Sequence, residues 1–295
     1  MSHYYKNNNG IAEPFFELQK AKGGTRAVTV ADARKARAYP SPNTICGILA
    51  KPGLIRWSDR LLIETVISMP QSMLEDEQEF FRVVLENHQK VKKEAASQGT
   101  AIHAEIEDAI KKVLSAEWES LPDLTFRFSG GKYGEWQSQV ARAIEWLFYN
   151  EEDGGGAYIE VTGIEEHFTS AEHGLGGMID VVGRSKTEDH RPVIVDWKTV
   201  TLKSNGEFKD TYPEDKLPLM AAYAMGYFGT LDCDCWNVFI GREKTAKIKP
   251  VLYTGAELEW GWKKFQHAYE LWVMEKNYDP RWITMEKSYD PREDK

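Results

Sequence analysis

The chain is expected to be an α/β protein, with a central mixed β-sheet flanked by helices and a helical N-terminal part. Three observations lead there. Apolar residues recur at spacings of three and four through most of 41–153, and the period changes to two from Gly154. The second half then alternates element types: three strands, a helix, two strands and a helix.

Residues 1–40 are polar, interrupted by Asn7-Asn8-Asn9-Gly10 and Lys22-Gly23-Gly24, and read as an irregular segment. Helical patterning begins after Pro42. Asn43 or Thr44 is placed to cap a short helix to Ala50, and Pro52 fits the first turn of a second helix with Leu54, Ile55, Leu61, Leu62 and Val66 as its apolar positions. Residues 75–97 read as an amphipathic helix with Phe80, Val83, Val84 and Val91 inward. Gln98-Gly99 interrupts it, and 100–118 forms the next. After a loop at 122–131, Tyr133, Trp136, Val140, Ile144 and Leu147 mark another helix. Strands follow at 157–168, 177–183 and 192–199, a helix at 217–228, and a hairpin of strands at 235–241 and 245–253. Leu258, Trp262, Phe265, Tyr269 and Trp272 define a final long helix.

The chain therefore divides into an irregular segment 1–40, a helical region 41–153, a sheet-and-helix core 154–276 and a tail 277–295. The tail repeats Glu275-Lys276-Asn277-Tyr278-Asp279-Pro280-Arg281 as Glu286-Lys287-Ser288-Tyr289-Asp290-Pro291-Arg292. Two copies of seven residues cannot build a solenoid and read as a pair of similar turns.

At 295 residues and 42% hydrophobic content the chain can bury a real core. A net charge of −9 excludes a generally basic nucleic-acid coat, so any contact with DNA or RNA must use a local positive groove and metal ions. Cys46, Cys233 and Cys235 are too few and too poorly spaced for a disulfide framework or a four-cysteine iron–sulfur cluster. The segment Met1-Ser2-His3-Tyr4-Tyr5-Lys6 has no apolar signal core and no run approaches a membrane span, so a soluble, cytoplasmic protein is expected.

The chemistry concentrates in Val193-Ile194-Val195-Asp196-Trp197-Lys198, preceded at a hairpin's distance by Gly176-Gly177-Met178-Ile179-Asp180. Side chains alternate along a strand, so Asp196 and Lys198 share one face and Trp197 takes the other. An acid and an ammonium group at the end of a buried strand are costly unless they hold something, and a divalent cation with a phosphate is the natural candidate. If the polar stretch 184–191 is a hairpin loop centred on Glu188, Asp180 falls opposite Asp196, where like charges repel until a cation separates them. The same rule applied to a turn centred on His173 puts Glu166 opposite Asp180. A slip of one residue would send a carboxylate to the other face.

On the 100–118 helix, His103 and Glu107 lie one turn apart on a shared face, able to ligate a metal or to fix one another, though the same spacing describes an ordinary solvated pair. Trp57, beside Arg56 and Lys51, is placed for nucleic-acid contact. Ser41 and Thr44 can hydrogen-bond phosphate, and Thr44 equally fits a helix cap. Trp136, Trp262 and Trp272 lie on helical apolar stripes and read as core.

In order and spacing, Gly99, His103 and Glu107, Glu166, Gly177-Met178-Ile179-Asp180 and Asp196-Trp197-Lys198 resemble the motifs of the PD-(D/E)XK nuclease superfamily in its RecB-like exonuclease branch. The block Tyr39-Pro40-Ser41-Pro42-Asn43-Thr44-Ile45 with Lys51-Pro52-Gly53-Leu54-Ile55-Arg56-Trp57 resembles the N-terminal signature of phage exonucleases and of the mitochondrial genome-maintenance exonuclease within that branch. The resemblance implies a restriction-endonuclease-like core, with His103, Asp180 and Asp196 as ligands of Mg2+ or Mn2+ and the Trp197 backbone carbonyl as a further one. It implies Lys198 as the catalytic lysine and Glu107 and Glu166 as accessory acids, without an iron–sulfur cluster. The family tends to place a glutamine four residues before a tyrosine on the next helix. Tyr223 fits the tyrosine as a nucleic-acid contact, but Leu219 stands where the glutamine would be, leaving Lys216 or Gln137 as substitutes.

The implied activity is a metal-dependent DNA exonuclease acting on strand ends in phage-like recombination, repair or replication, in the cytoplasm of a phage- or bacterium-like host cell. A recombination or single-strand-binding protein is a candidate partner. The alternative is a non-catalytic DNA-end-binding or recombination-partner module on the same fold. A ribonuclease-H-like carboxylate enzyme would need several acids but no Asp-X-Lys, and Lys198 argues against it.

Overall fold

Two of the five central strands are joined by a helical crossover, and this decides the architecture. The computed structural model describes residues 3–20, 23–70, 76–115, 136–148, 159–187, 189–208, 213–244 and 246–283. Its elements run β1 (Tyr4–Asn8), β2 (Ile11–Phe15), β3 (Glu17–Gln19), β4 (Thr25–Ala27), α1 (Val30–Ala36), β5 (Tyr39–Pro40), α2 (Pro42–Cys46), α3 (Pro52–Ile67) and α4 (Glu77–Ser115). There follow α5 (Gln137–Phe148), β6 (Ile159–Ser170), β7 (Leu175–Ser185), β8 (Pro192–Val200), α6 (Leu217–Phe228), β9 (Asp234–Gly241), β10 (Ile248–Tyr253) and α7 (Gly255–Lys276). The main sheet has the order β10-β9-β8-β7-β6. β8 and β9 are parallel and connected through α6, whereas the other neighbours pair antiparallel, so the sheet is mixed.

Alternation along β8 feeds two cores. Val193, Val195 and Trp197 pack with Ile102, Ile106 and Ile110 of α4 and Val140, Ile144 and Leu147 of α5. Ile194 faces the other way, into a larger cluster with Met220 and Tyr223 of α6 and Phe265, Tyr269 and Trp272 of α7. The sheet is thus the middle layer between two helical layers. Among the described residues no helix is long and apolar enough to cross a membrane.

Residues 3–20 and 23–40 form strands and a helix where an irregular segment is expected. β1 pairs with both β2 and β5, and β3 pairs with β4. The polar Asn9-Gly10 pair is a two-residue hairpin loop between Asn8 and Ile11, with φ of 52° and 90°, the left-handed geometry that matches strand twist. Thr29 and Asp32 form a capping box that starts α1. Tyr4, Phe15, Ala33 and, from the tail, Tyr278 all enter the core beneath α6 and α7. The Tyr278 hydroxyl donates to the Ala38 carbonyl at 2.7 Å, which ties the first copy of the repeated tail segment to the N-terminal elements.

Two helical expectations also change. Ser41, not Asn43 or Thr44, caps the first helix, which stops at Cys46. Gln98-Gly99 does not break a helix, because α4 runs through it without interruption for 39 residues. Gly99 is instead a contact point, since a Cβ there would stand 3.0 Å from Thr199 Oγ1 on β8. Glu75, Trp118, the loop 122–131, Tyr133, Ala157, Tyr158, Glu188, Thr245 and the second tail copy 286–292 lie outside the described residues.

Gly99→Val is expected to destabilise the protein by about 1–3 kcal/mol, because overpacking at the helix–strand contact outweighs the gain in helix propensity. Urea denaturation measures it. An unchanged or increased stability would contradict the close approach of α4 to β8.

Candidate active site

Pairing of Val181 with Val195 and Val182 with Ile194 puts Asp180 and Asp196 on the next rung, the register of a hairpin centred on residue 188. The backbone ladder gives way there to a side-chain bond: the Trp197 amide donates to Asp180 Oδ2 at 2.8 Å. His103 Nδ1, delivered by α4, lies 3.6 Å from the same oxygen. On β8, Lys198 Nζ sits 2.5 Å from Asp196 Oδ2 and donates to the Trp197 carbonyl at 3.3 Å. Trp197 points to the opposite face, where its ring meets Trp146 edge to face at 5.7 Å.

Asp196 is only 5% exposed. Burial raises its carboxyl above the ordinary range, Lys198 opposes this, and the neighbouring Asp180 charge raises it further. For Asp180, burial is outweighed by His103, Lys198 and the Trp197 amide, and its carboxyl is held below the usual value. The Lys198 ammonium is pushed down by burial but stabilised more strongly by Asp196 and Asp180, and ends above its ordinary value. Two adjacent acids with one lysine and a histidine beside them form a site where additional positive charge is favourable.

The third strand does not supply the expected acid. Glu166 pairs with Ile179 and Ile164 with Val181, so Glu165 falls opposite Asp180. The hairpin closes between Ser170 and Leu175 over four residues, which moves its centre half a residue and the register by one. Glu165 also has φ of 49°, which breaks the alternation of β6 locally. Its carboxyl is raised by partial burial, by Glu107 beside it and by Asp180. Glu107 reaches Glu165 from α4 and also pairs with Lys111. Glu166 lies against Gly163, and burial followed by the charge of Glu166 raises the Tyr227 hydroxyl.

The structure thus brings together His103, Glu107, Glu165, Asp180, Asp196 and Lys198. The profile of the PD-(D/E)XK nuclease superfamily matches residues 79–227, just over half of the chain, and all six lie within that span. The chain belongs to the PD-(D/E)XK nuclease superfamily. No curated protein matches it. Membership implies a nuclease, a hydrolase with DNA as substrate, in a family that generally uses divalent metals.

The donors of this PD-(D/E)XK site suit such an ion. Among the described residues no group of three or more histidine, cysteine, aspartate or glutamate side chains converges on one point as a ready metal centre. Yet each aspartate makes its hydrogen bonds through Oδ2, and neither Oδ1 has a hydrogen-bond partner among the described residues. Two carboxylate oxygens on neighbouring strands, with an imidazole at hand, are the mostly oxygen donor set that a hard divalent cation takes.

The remaining sequence candidates are scattered. Ser41 is buried and its Oγ accepts from the Thr44 amide, while Thr44 Oγ1 accepts from the His3 amide and donates to the His3 carbonyl. The Ser41 hydroxyl thus caps α2, and the Thr44 hydroxyl fastens the chain at His3. Tyr223 is 5% exposed, and burial followed by the charges of Asp196 and Asp180 raises its hydroxyl well above its usual range. Leu219 is core. Lys216 is near the site: burial, Lys198 and Lys51 lower its ammonium. Gln137 opens α5, which packs on the opposite face. Arg56 is exposed on α3, and Trp57 receives Lys92 at 6.0 Å from its ring centre.

Sequence reading passed over Asn237. It pairs with Asp196 across β8 and β9 and is fully buried. A polar residue inside the apolar run 235–241 was the available signal.

Proposed function

We propose that this PD-(D/E)XK protein is a divalent-metal-dependent DNA exonuclease, working on strand ends in phage-like recombination, repair or replication within a host cytoplasm. The observation that carries it is the Asp180 and Asp196 rung with Lys198 2.5 Å from Asp196. In this reading Asp180, Asp196, His103 and the Trp197 carbonyl hold Mg2+ or Mn2+. Such an ion, when bound, lowers the pKa of water and polarises a phosphate oxygen. Lys198 moves from Asp196 toward the scissile phosphate, where its ammonium orients the attacking water and offsets the charge developing on the phosphoryl oxygens. Glu107 and Glu165 act as accessory acids that hold solvent and ion on the α4 side.

Lys51, Arg56 and Trp57 contact the strand. Lys51 and Lys216 concentrate positive charge next to Lys198 on a chain whose net charge is −9, which favours entry of one strand end into a confined path over coating of a duplex.

End-labelled single- and double-stranded DNA, with closed circles as control, tests the reading. Linear substrates are expected to release short labelled products in Mg2+, circles to stay intact, and a chelator to stop the reaction. Cutting of circles at the same rate would contradict end dependence, and chelator-insensitive cutting would contradict the metal. Glu165→Gln is expected to lower kcat about tenfold, and Glu166→Gln to stay within about twofold of the parent. Single-turnover rates compare them, and the reverse order would restore Glu166 to the site.

A further inference from the structure

Asp196 is held by more than Lys198. Asn237, directly beside it on β9, donates from Nδ2 to Asp196 Oδ2 at 2.7 Å. The same amide nitrogen lies 3.3 Å from Met220 Sδ on α6, and the Tyr253 hydroxyl on β10 donates to Asn237 Oδ1 at 3.3 Å. The amide orientation is therefore not arbitrary. With Oδ1 engaged by a hydroxyl proton, Nδ2 must face the carboxylate, and a flipped amide would set an oxygen against a charged oxygen.

We propose that Asn237, itself oriented by Tyr253, is a positioning residue that locks the Asp196 carboxylate with Oδ2 turned inward and Oδ1 presented to the cation. The inference rests on the metal-dependent reading above. A carboxylate that ligates through one oxygen must be restrained at the other, or rotation about its terminal bond spreads the ligand over many positions. Lys198 cannot supply that restraint throughout the reaction, because the same ammonium must serve the phosphate. Asn237 can, since it is fully buried and carries no charge that DNA would attract. The three strands β8, β9 and β10 thus form one relay: Asp196 to Asn237 to Tyr253.

Asn237 and Tyr253 lie beyond 79–227, so the two residues that restrain Asp196 sit outside the matched span of the family, on this chain's own β9 and β10.

Calorimetric titration of Mn2+ into the full-length protein, without DNA, reads the effect directly. Asn237→Leu is expected to weaken Mn2+ binding about 10–100-fold and Tyr253→Phe by a smaller factor, about threefold to tenfold. In both variants excess Mn2+ is expected to recover most of kcat with KM for DNA unchanged, which a general packing defect would not allow. Should Asn237→Leu fail to fold, as judged by circular dichroism, Tyr253→Phe decides alone. Asp196→Asn is the control that separates the two claims. If it loses Mn2+ while Asn237→Leu and Tyr253→Phe bind like the parent, the relay is overturned and the metal site stands. If Asp196→Asn binds Mn2+ as the parent does, the metal site falls and the relay with it.

Discussion

Lys198→Ala is expected to lower kcat on linear DNA by about 10²–10³-fold while leaving the KM for DNA within a few-fold of the parent. The ammonium is the only lysine group in ion-pair contact with Asp196 among the described residues, and its charge also acts on Asp180. Its removal has two consequences. The developing phosphate charge loses its nearest counter-charge, and Asp196 is left beside Asp180 with one positive neighbour fewer. Circular dichroism should be unchanged, because the side chain lies at the end of β8 and is partly exposed. Single-turnover kinetics against the parent gives the comparison, and a variant that cuts at the parental rate would remove Lys198 from the chemistry.

Trp197→Ala is expected to cost about 3–5 kcal/mol of stability, the range for truncating a large buried aromatic. The ring is 2% exposed and packs against Trp146 within the α4 and α5 layer. The loss also reaches the site, since the Trp197 amide and carbonyl contact Asp180 and Lys198. Urea denaturation of parent and variant supplies the number. A loss under about 1 kcal/mol would mean that Trp197 is not on the buried face, and Asp196 and Lys198 would then not share the other.

Alternation in Val193 to Lys198 made that face legible in advance, because one buried strand allows only one assignment of sides. The β7 and β8 register was legible for a related reason: the polar stretch from Arg184 to Arg191 leaves little choice of turn centre. The turn before β7 offered no such symmetry. A loop of four residues instead of five exchanged Glu165 for Glu166, and the left-handed backbone at Glu165 has no signature in a Glu-Glu pair. Gly99 suggests a helix break on intrinsic propensity alone. Its reason is tertiary, the nearness of Thr199, and is invisible along one helix. Asn9-Gly10 is a hairpin signal, but the strands it joins are only five residues long and Pro14 blurs their alternation. Asn237 stood out as polar within an apolar run, but only its pairing with Asp196 gives that polarity a purpose.

The central claim is that Asp180 and Asp196 hold a divalent cation within reach of Lys198. Crystals soaked in Mn2+ with a short oligonucleotide test it most directly through anomalous scattering. The account predicts a peak at bonding distance from a carboxylate oxygen of both aspartates, with a phosphate on its far side approached by Lys198 Nζ. A peak on other residues, or a phosphate bound with no manganese between these two side chains, would contradict it.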